Sequence, residues 1–273
     1  MNPHPTLLQR KYVPKPWGRL DLPHPFEGAA NEQIGEVWFD DAGAEQDLLV
    51  KYLFTSDKLS IQVHPCDELA RLSGLASGKE ECWIVFDADP GAALGIGTKV
   101  PLSPQELRAS AMDGTIEQLM DWKPVSRGDF FYIPPGTVHA IGAGVSIIEV
   151  QQNADVTYRL YDSGRPRDLH LDDGIIAATA KPYDECMHSR IDFACEARIF
   201  DGPKFALWIM SDWPAEGLSG EAVQIIPLKG QASIGQGSGH GVTAQAGDCV
   251  LCQPLARLDA SPDFICIMAQ AKV

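Results

Sequence analysis

Residues 51–83 read KYLFTSDKLSIQVHPCDELARLSGLASGKEECW, and the fold turns on the short alternation near their middle. Leu59 to Val63 alternates as a strand does, and residues two apart on a strand point to the same face. Gln62 and His64 therefore project side by side. Asp67–Leu72 reads as a short helix, a Gly-containing turn follows, and a second strand from Glu81 to Phe86 brings a carboxylate toward the same place. Further on, Gly128–His139 reads GDFFYIPPGTVH. There a strand ends in Pro134-Pro135-Gly136, and the tight turn delivers His139. Gln62, His64, Glu81 and His139 form a mixed nitrogen and oxygen donor set suited to Zn2+ or another first-row divalent ion.

Outward from this stretch the chain continues in short strands. Ile34–Phe39 and Leu48–Phe54 both read as strands, with an acidic turn over Asp40–Asp47 between them, and Met1–Pro16 reads as an irregular arm. Closely spaced short strands predict a mainly β chain, a barrel or a sandwich. Helix interrupts the pattern in an insert at about 103–121. Ser103-Pro104-Gln105-Glu106 is a capping box with proline in the first helical position, so a helix runs from there to about Met112. Gly114 breaks it, and Thr115–Asp121 forms a second short helix. Val145–Gln151 re-enters the sheet. In Asn153–Asp162, strand alternation puts Asp155, Thr157 and Arg159 on one face. Asp168–Ala178 is read as a further short helix.

From about Phe193 a second set of strands follows, at Ala206–Met210, Ala222–Leu228, Gly230–Ile234, Cys249–Gln253 and Phe264–Ala269. Gly128-Asp129, a strand and Pro134 are echoed by Gly247-Asp248, a strand and Pro254, yet nothing after Pro254 replaces His139. The expected organisation is a metal-binding unit at 1–185 and a degenerate, metal-free β unit at 186–273 that braces it.

The chain has 273 residues and a net charge of −15, which argues against nucleic acid or an anionic membrane surface as partner. An anionic small ligand stays compatible if cations gather locally. Seven cysteines, an odd number without framework spacing, predict a reducing, cytoplasmic setting with buried free thiols. Neither a signal-like run nor an apolar stretch of spanning length is present, so neither secretion nor membrane insertion is expected. No motif speaks to oligomeric state.

Gly128-x5-Pro134-x-Gly136-x2-His139 has the spacing of the second cupin motif, and Gln62-Val63-His64 stands where the first usually shows His-x-His. That resemblance implies a jelly-roll barrel. LLVKYLFTSDKLSIQVHPCD, GKEECWIVF, GDFFYIPPGTVHAI and NADVTYRLYD resemble, in order, the signatures of type I phosphomannose isomerases. KPWG and IGEVWF resemble that family's N-terminal signatures. Coverage runs from about Lys15 to Asp162, and the C-terminal third has only a general cupin likeness. The resemblance implies zinc ligands at Gln62, His64, Glu81 and His139, an active-site lysine at Lys79 and a catalytic arginine at Arg159, with Asp155 nearby. It also implies interconversion of mannose 6-phosphate and fructose 6-phosphate, with a small sugar phosphate as ligand. Cys66 departs from the family's short members, which commonly carry the first Asp of HPDD there.

In aldose–ketose isomerisation, negative charge develops on two sugar oxygens as an enediolate forms. A divalent cation stabilises that charge, and a permanently protonated arginine such as Arg159 suits the same oxyanion. For the base, a metal-bound water, Lys79 and Asp155 stay open. Lys15, Lys58, Arg165 and Arg167 are available to a phosphate. Other readings of the same residues are isomerisation of a related sugar, a non-haem iron cupin oxygenase on His64, Glu81 and His139, or a sugar-binding cupin without turnover. Plainer readings accompany the single residues. Arg159 is a salt-bridge partner of Asp155, Lys79 a solvated turn lysine, Cys66 a half-buried thiol, and His170, His188 and His240 lie on the surface. Cys249 and Cys252, three apart on a strand, face opposite sides and serve packing.

Overall fold

Gln62 lies in Ile61–Val63, the second strand of a five-stranded sheet ordered Tyr158–Tyr161, Ile61–Val63, His139–Ile141, Ala93–Thr98 and Met120–Pro124. The computed structural model describes residues 4–27, 32–40, 46–236 and 240–272, without the side chains of 236 and 240. Facing this sheet is one of seven strands, ordered His188–Arg190, Asp129–Ile133, Glu81–Ala88, Val145–Gln152, Leu48–Phe54, Ile34–Phe39 and Arg10–Arg19. The two enclose a core that includes Leu53, Trp83, Val85, Ile96, Ile141 and Ile147. This is the cupin barrel.

Alternation assigns each strand of the larger sheet two duties. In Leu48–Phe54 the residues Val50, Tyr52 and Phe54 point away from the barrel, while Leu53 points into it. Every residue of that strand is buried, which is why it reads as a nearly continuous apolar run. The outward residues pack on a six-stranded sheet ordered Thr6–Leu7, Val250–Cys252, Val223–Lys229, Ile265–Ala271, Phe205–Met210 and Ala197–Asp201. Beyond it, a three-stranded sheet of His240–Gln245, Gln231–Gln236 and Arg257–Ala260 closes over a second core around Trp208, Ile225, Ile234 and Met268. This second core is filled by apolar side chains.

Helices cover the outer face of the five-stranded sheet: α1 (Asp67–Leu72), α2 (Pro104–Asp113), α3 (Ile116–Leu119) and α4 (Leu171–Ala177). Leu107, Ala111, Ile116 and Ala177 pack there against Ile61, Val63, Ala140 and Leu160. The capping box of α2 forms as expected, Ser103 Oγ accepting from the Glu106 amide at 3.3 Å and Glu106 Oε2 from the Ser103 amide at 2.8 Å. Gly114 ends α2 with φ +81°. Met120, expected in the second short helix, already begins a strand. Among the described residues no helix is long and apolar enough to cross a membrane.

The N-terminal segment departs from expectation. Thr6–Leu7 pairs with Val250–Leu251 in the C-terminal sheet, and Arg10–Arg19 forms a strand rather than an irregular arm. Pro14 and Pro16 fit because this strand lies at the sheet edge, where a missing amide hydrogen costs no interior ladder bond. The 40–47 turn falls largely outside the described residues, as do Met1–Pro3 and the side chain of His240.

The internal echo has a structural counterpart. Gly128 and Gly247 have φ of +94° and +85°, values that favour glycine. Asp129 Oδ2 accepts the Ser126 amide at 2.7 Å and Asp248 Oδ2 the Gln245 amide at 2.9 Å, so both turns close in the same way.

Candidate metal centre and cleft

One row of paired residues crosses the five-stranded sheet. Arg159 is the register partner of Gln62, and Gln62 is the partner of His139. Gln62 Nε2 lies 3.2 Å from His139 Nε2, and a half-turn of the amide would bring Oε1 to the same point. His64 continues the face of Gln62, and its ring centroid is 4.8 Å from that of His139. Glu81 faces them from the larger sheet, its Oε2 3.5 Å from His64 Nε2 and its Oε1 3.6 Å from His139 Nε2.

Both imidazoles are oriented by the backbone. His64 Nδ1 lies 2.8 Å from the Val156 carbonyl and His139 Nδ1 2.8 Å from the Thr137 carbonyl, so each Nδ1–H donates outward and each Nε2 lone pair faces the cluster. Burial drives the His64 pKa well below its ordinary value and lowers that of His139 to about 4, so both rings are neutral ligands at pH 7. Glu81 is fully buried and neither oxygen has an aligned hydrogen-bond donor. Burial pushes its carboxyl up to about 7, against the opposing pull of the Lys79 ammonium 2.9 Å from Oε2.

These features fit a divalent cation. Tetrahedral ligands at about 2.1 Å from a metal stand about 3.4 Å apart, close to the separations here. A cation would also satisfy the two orphaned carboxylate oxygens. His64, Glu81 and His139 supply three donor atoms within 4.8 Å of one another.

Lys79 reaches the cluster because the chain doubles back before it. The Gly78 amide donates to Asp67 Oδ1 at 2.9 Å and the Lys79 amide to the Pro65 carbonyl at 3.0 Å. A Cβ at Gly78 would lie 2.5 Å from the Cys66 carbonyl carbon, so only glycine allows this approach. Lys79 is buried, not a solvated turn lysine. Burial works to lower its pKa, but Glu81, Glu149 and Glu36 outweigh that and raise it, which keeps the ammonium charged.

A cleft of about 290 Å³ opens beside the cluster, lined on one side by Lys15, Trp17, Glu36 and Lys51 and on the other by Asp155, Thr157, Arg159, Arg167 and His170. Asp155, Thr157 and Arg159 do share it, although the strand starts only at Tyr158. Among the described residues the Arg159 guanidinium has no ion pair, with Asp155 or otherwise. Of the proposed phosphate cations, Lys15 and Arg167 line the cleft, whereas Lys58 pairs with Glu117 and Arg165 with Asp162 and Asp57 away from it.

Lys51, Glu149 and His170 are cleft residues that sequence reasoning missed. Lys51 and Glu149 are paired across neighbouring strands, with Nζ 3.4 Å from Oε1 and 2.6 Å from Gln151 Oε1. Trp83 Nε1 donates to Glu149 Oε2 at 3.0 Å. Burial, reinforced by Lys79, lowers the Lys51 pKa. For Glu149, burial raises but Lys79 and Lys51 together lower it. A charged residue inside an otherwise apolar strand was the available signal. His170 lines the cleft instead of lying on the surface, and His188 stacks on Phe131 and meets Asp129 at 3.1 Å. Cys66 is exposed rather than half-buried, and Cys249 and Cys252 do face different cores.

Architecture and site together define a cupin with a candidate divalent-metal centre at one end of a polar cleft. No family model matches the chain. It is 44% identical over 138 residues to a mannose-6-phosphate isomerase of Streptococcus mutans, a stretch covering 48% of this chain and 43% of that protein. It is 43% identical over 131 residues to the mannose-6-phosphate isomerase ManA of Bacillus subtilis, covering 45% and 41%. The matched stretch thus spans less than half the length of these curated relatives. The crystal structure of the mannose 6-phosphate isomerase from Bacillus subtilis superposes with a TM-score of 0.75 at 26% identity, over 99% of this chain and 100% of that one. A variant of the phosphomannose isomerase from Salmonella typhimurium, at 13% identity and TM-score 0.71 over 98% and 99%, shares the fold. In sequence over about half its length, and in fold over nearly all of it, the chain is similar to phosphomannose isomerases.

Proposed function

We propose that this protein is a metal-dependent aldose–ketose isomerase interconverting mannose 6-phosphate and fructose 6-phosphate. The observation that carries the reading is the row Arg159–Gln62–His139, in which a guanidinium without an ion pair among the described residues shares a sheet row with a cluster of two neutral imidazoles and a buried carboxylate. The relatives named above support the substrate. Gln62, His64, Glu81 and His139 would hold the cation, Zn2+ in our reading. When bound, it supplies Lewis-acid stabilisation of the sugar oxygens.

The chain's own residues account for the rest. A cleft carboxylate takes the proton from C2 of the open-chain aldose. The C2–H electron pair becomes the C1–C2 double bond, and the carbonyl oxygen gains negative charge. Arg159 donates to that oxyanion with its planar fork of hydrogen bonds. Lys79, held as an ammonium, acts as donor rather than base. Asp155, Glu149 and Glu36 are the carboxylates within the cleft that could accept the proton. Reprotonation at C1 and proton transfer between the two oxygens give the ketose, with no net redox change. Residues 1–185 form the catalytic unit in this proposal, and 186–273 brace it.

The test is conversion of mannose 6-phosphate by protein stripped with chelator and reloaded with Zn2+, Mn2+ or Co2+, with unphosphorylated mannose alongside. Metal-restored turnover of the phosphate is the expected result. Metal bound without turnover of either sugar would overturn it.

A further inference from the structure

His170 enters the cleft by an unusual route. Its backbone amide donates to the Arg159 carbonyl at 2.8 Å, and its Nδ1 accepts the Arg159 amide at 3.2 Å. The residue therefore behaves as a one-residue extension of the sheet beyond the edge strand Tyr158–Tyr161. The row His139–Gln62–Arg159 gains a fourth member, His170.

Two consequences follow from the chemistry. Because Nδ1 accepts a backbone amide, the proton of the neutral ring sits on Nε2. Among the described residues that Nε2–H has no protein partner, and His170 lines the cleft. Neighbouring strands lie about 4.8 Å apart, so His170 stands three steps, roughly 14 Å at the backbone, from His139. A ligand reacting at the cluster meets His170 with its other end. The loop leading there is tied down: Asp162, almost fully buried, pairs with both Arg165 and Arg167.

We propose that His170 is a substrate-orienting residue whose Nε2–H donates to an oxygen acceptor on the ligand at the end remote from His64, Glu81 and His139. This rests on the isomerase reading. Its role is to fix which carbons lie at the cluster, so it acts on binding and register and not on proton transfer. Tautomer locking by the Arg159 amide makes the ring a donor without any change of protonation.

Two variants separate this from a purely structural role. In His170→Asn, Oδ1 takes the place of Nδ1 and keeps the bond from the Arg159 amide, but the Nε2 donor is lost. In His170→Gln, the amide nitrogen restores a donor near Nε2. With Zn2+-loaded protein and mannose 6-phosphate, His170→Asn is expected to raise KM about tenfold, the loss of one hydrogen bond to a polar ligand, with melting temperature unchanged. His170→Gln is expected to recover most of that loss. Unchanged KM in His170→Asn beside an active wild type overturns the proposal and leaves the isomerase reading standing. An inactive wild type overturns that reading. The same variants are then compared by calorimetric binding of mannose 6-phosphate, where equal affinity, or no binding by wild type, again overturns the role of His170.

Discussion

Arg159 and Gln62 face each other across the join between Tyr158–Tyr161 and Ile61–Val63, and Gln62 faces His139 on its other side. The guanidinium is therefore one strand away from the candidate metal ligands by construction of the sheet. A register slip of one residue would turn Arg159 to the helix-covered face.

Arg159→Lys is expected to lower kcat about a hundredfold, because a point charge replaces a bidentate fork at the developing oxyanion. Among the described residues the guanidinium has no ion pair to lose, so the melting temperature should stay within about 1–2 °C of wild type. A variant retaining full kcat would remove Arg159 from the chemistry.

Glu81→Gln keeps the volume and removes the charge. Two effects are expected together: metal content, read by elemental analysis, drops well below that of wild type, and stability falls by about 3 kcal/mol, because the Lys79 ammonium loses its nearest carboxylate in a buried site. Chelator should lower the wild-type melting temperature but leave the variant's unchanged. Full metal occupancy in Glu81→Gln would falsify the assignment of this cluster.

Lys51→Met and Glu149→Leu each strand one partner of a buried pair, Lys51 and Glu149 both having about 4% of their surface exposed. Each alone should cost about 3 kcal/mol by denaturant unfolding, and the double variant much less than the sum. Additive losses would mean that the pair is uncoupled.

Asp67 links α1 to the Lys79 turn and to Lys204, which precedes the Phe205–Met210 strand, accepting from Gly78 and Gln152 and pairing with Lys204 at 2.5 Å. The Lys204 bond, opposed by burial and aided by Gln152 and Gly78, holds its pKa at about 2, below the ordinary 3.8. A depressed carboxylate pKa means stability fully present above about pH 4 and lost as pH falls toward 2. The melting-temperature gap between wild type and Asp67→Asn should be constant from pH 8 to 5 and shrink below 4. A gap that widens on acidification would reverse the sign and sink the argument.

Much of the centre was legible because it depends on short-range geometry. Gln62 and His64 follow from the period of two, His139 from a glycine turn, and α2 from its capping box. Lys51 and Glu149 were hidden because their strands are buried on both faces, so the apolar and polar alternation that marks a half-exposed strand is absent. His170 was hidden for a different reason. It reaches the cleft through backbone bonds to Arg159 from an irregular segment, and no side-chain period records that. The Arg10–Arg19 strand was concealed by prolines that only an edge position tolerates.

The seven-stranded sheet is a wall with a separate text on each side. In Leu48–Phe54, Lys51 and Leu53 answer to the cleft, while Val50, Tyr52 and Phe54 answer to the C-terminal sheet. Sequence parity thus sorts the damage: variants at the cleft-facing parity should lower specific activity as well as stability, whereas those at the other should fold poorly but keep normal specific activity. Inserting one residue mid-strand would exchange the two texts at once, leaving neither the cleft nor the brace readable.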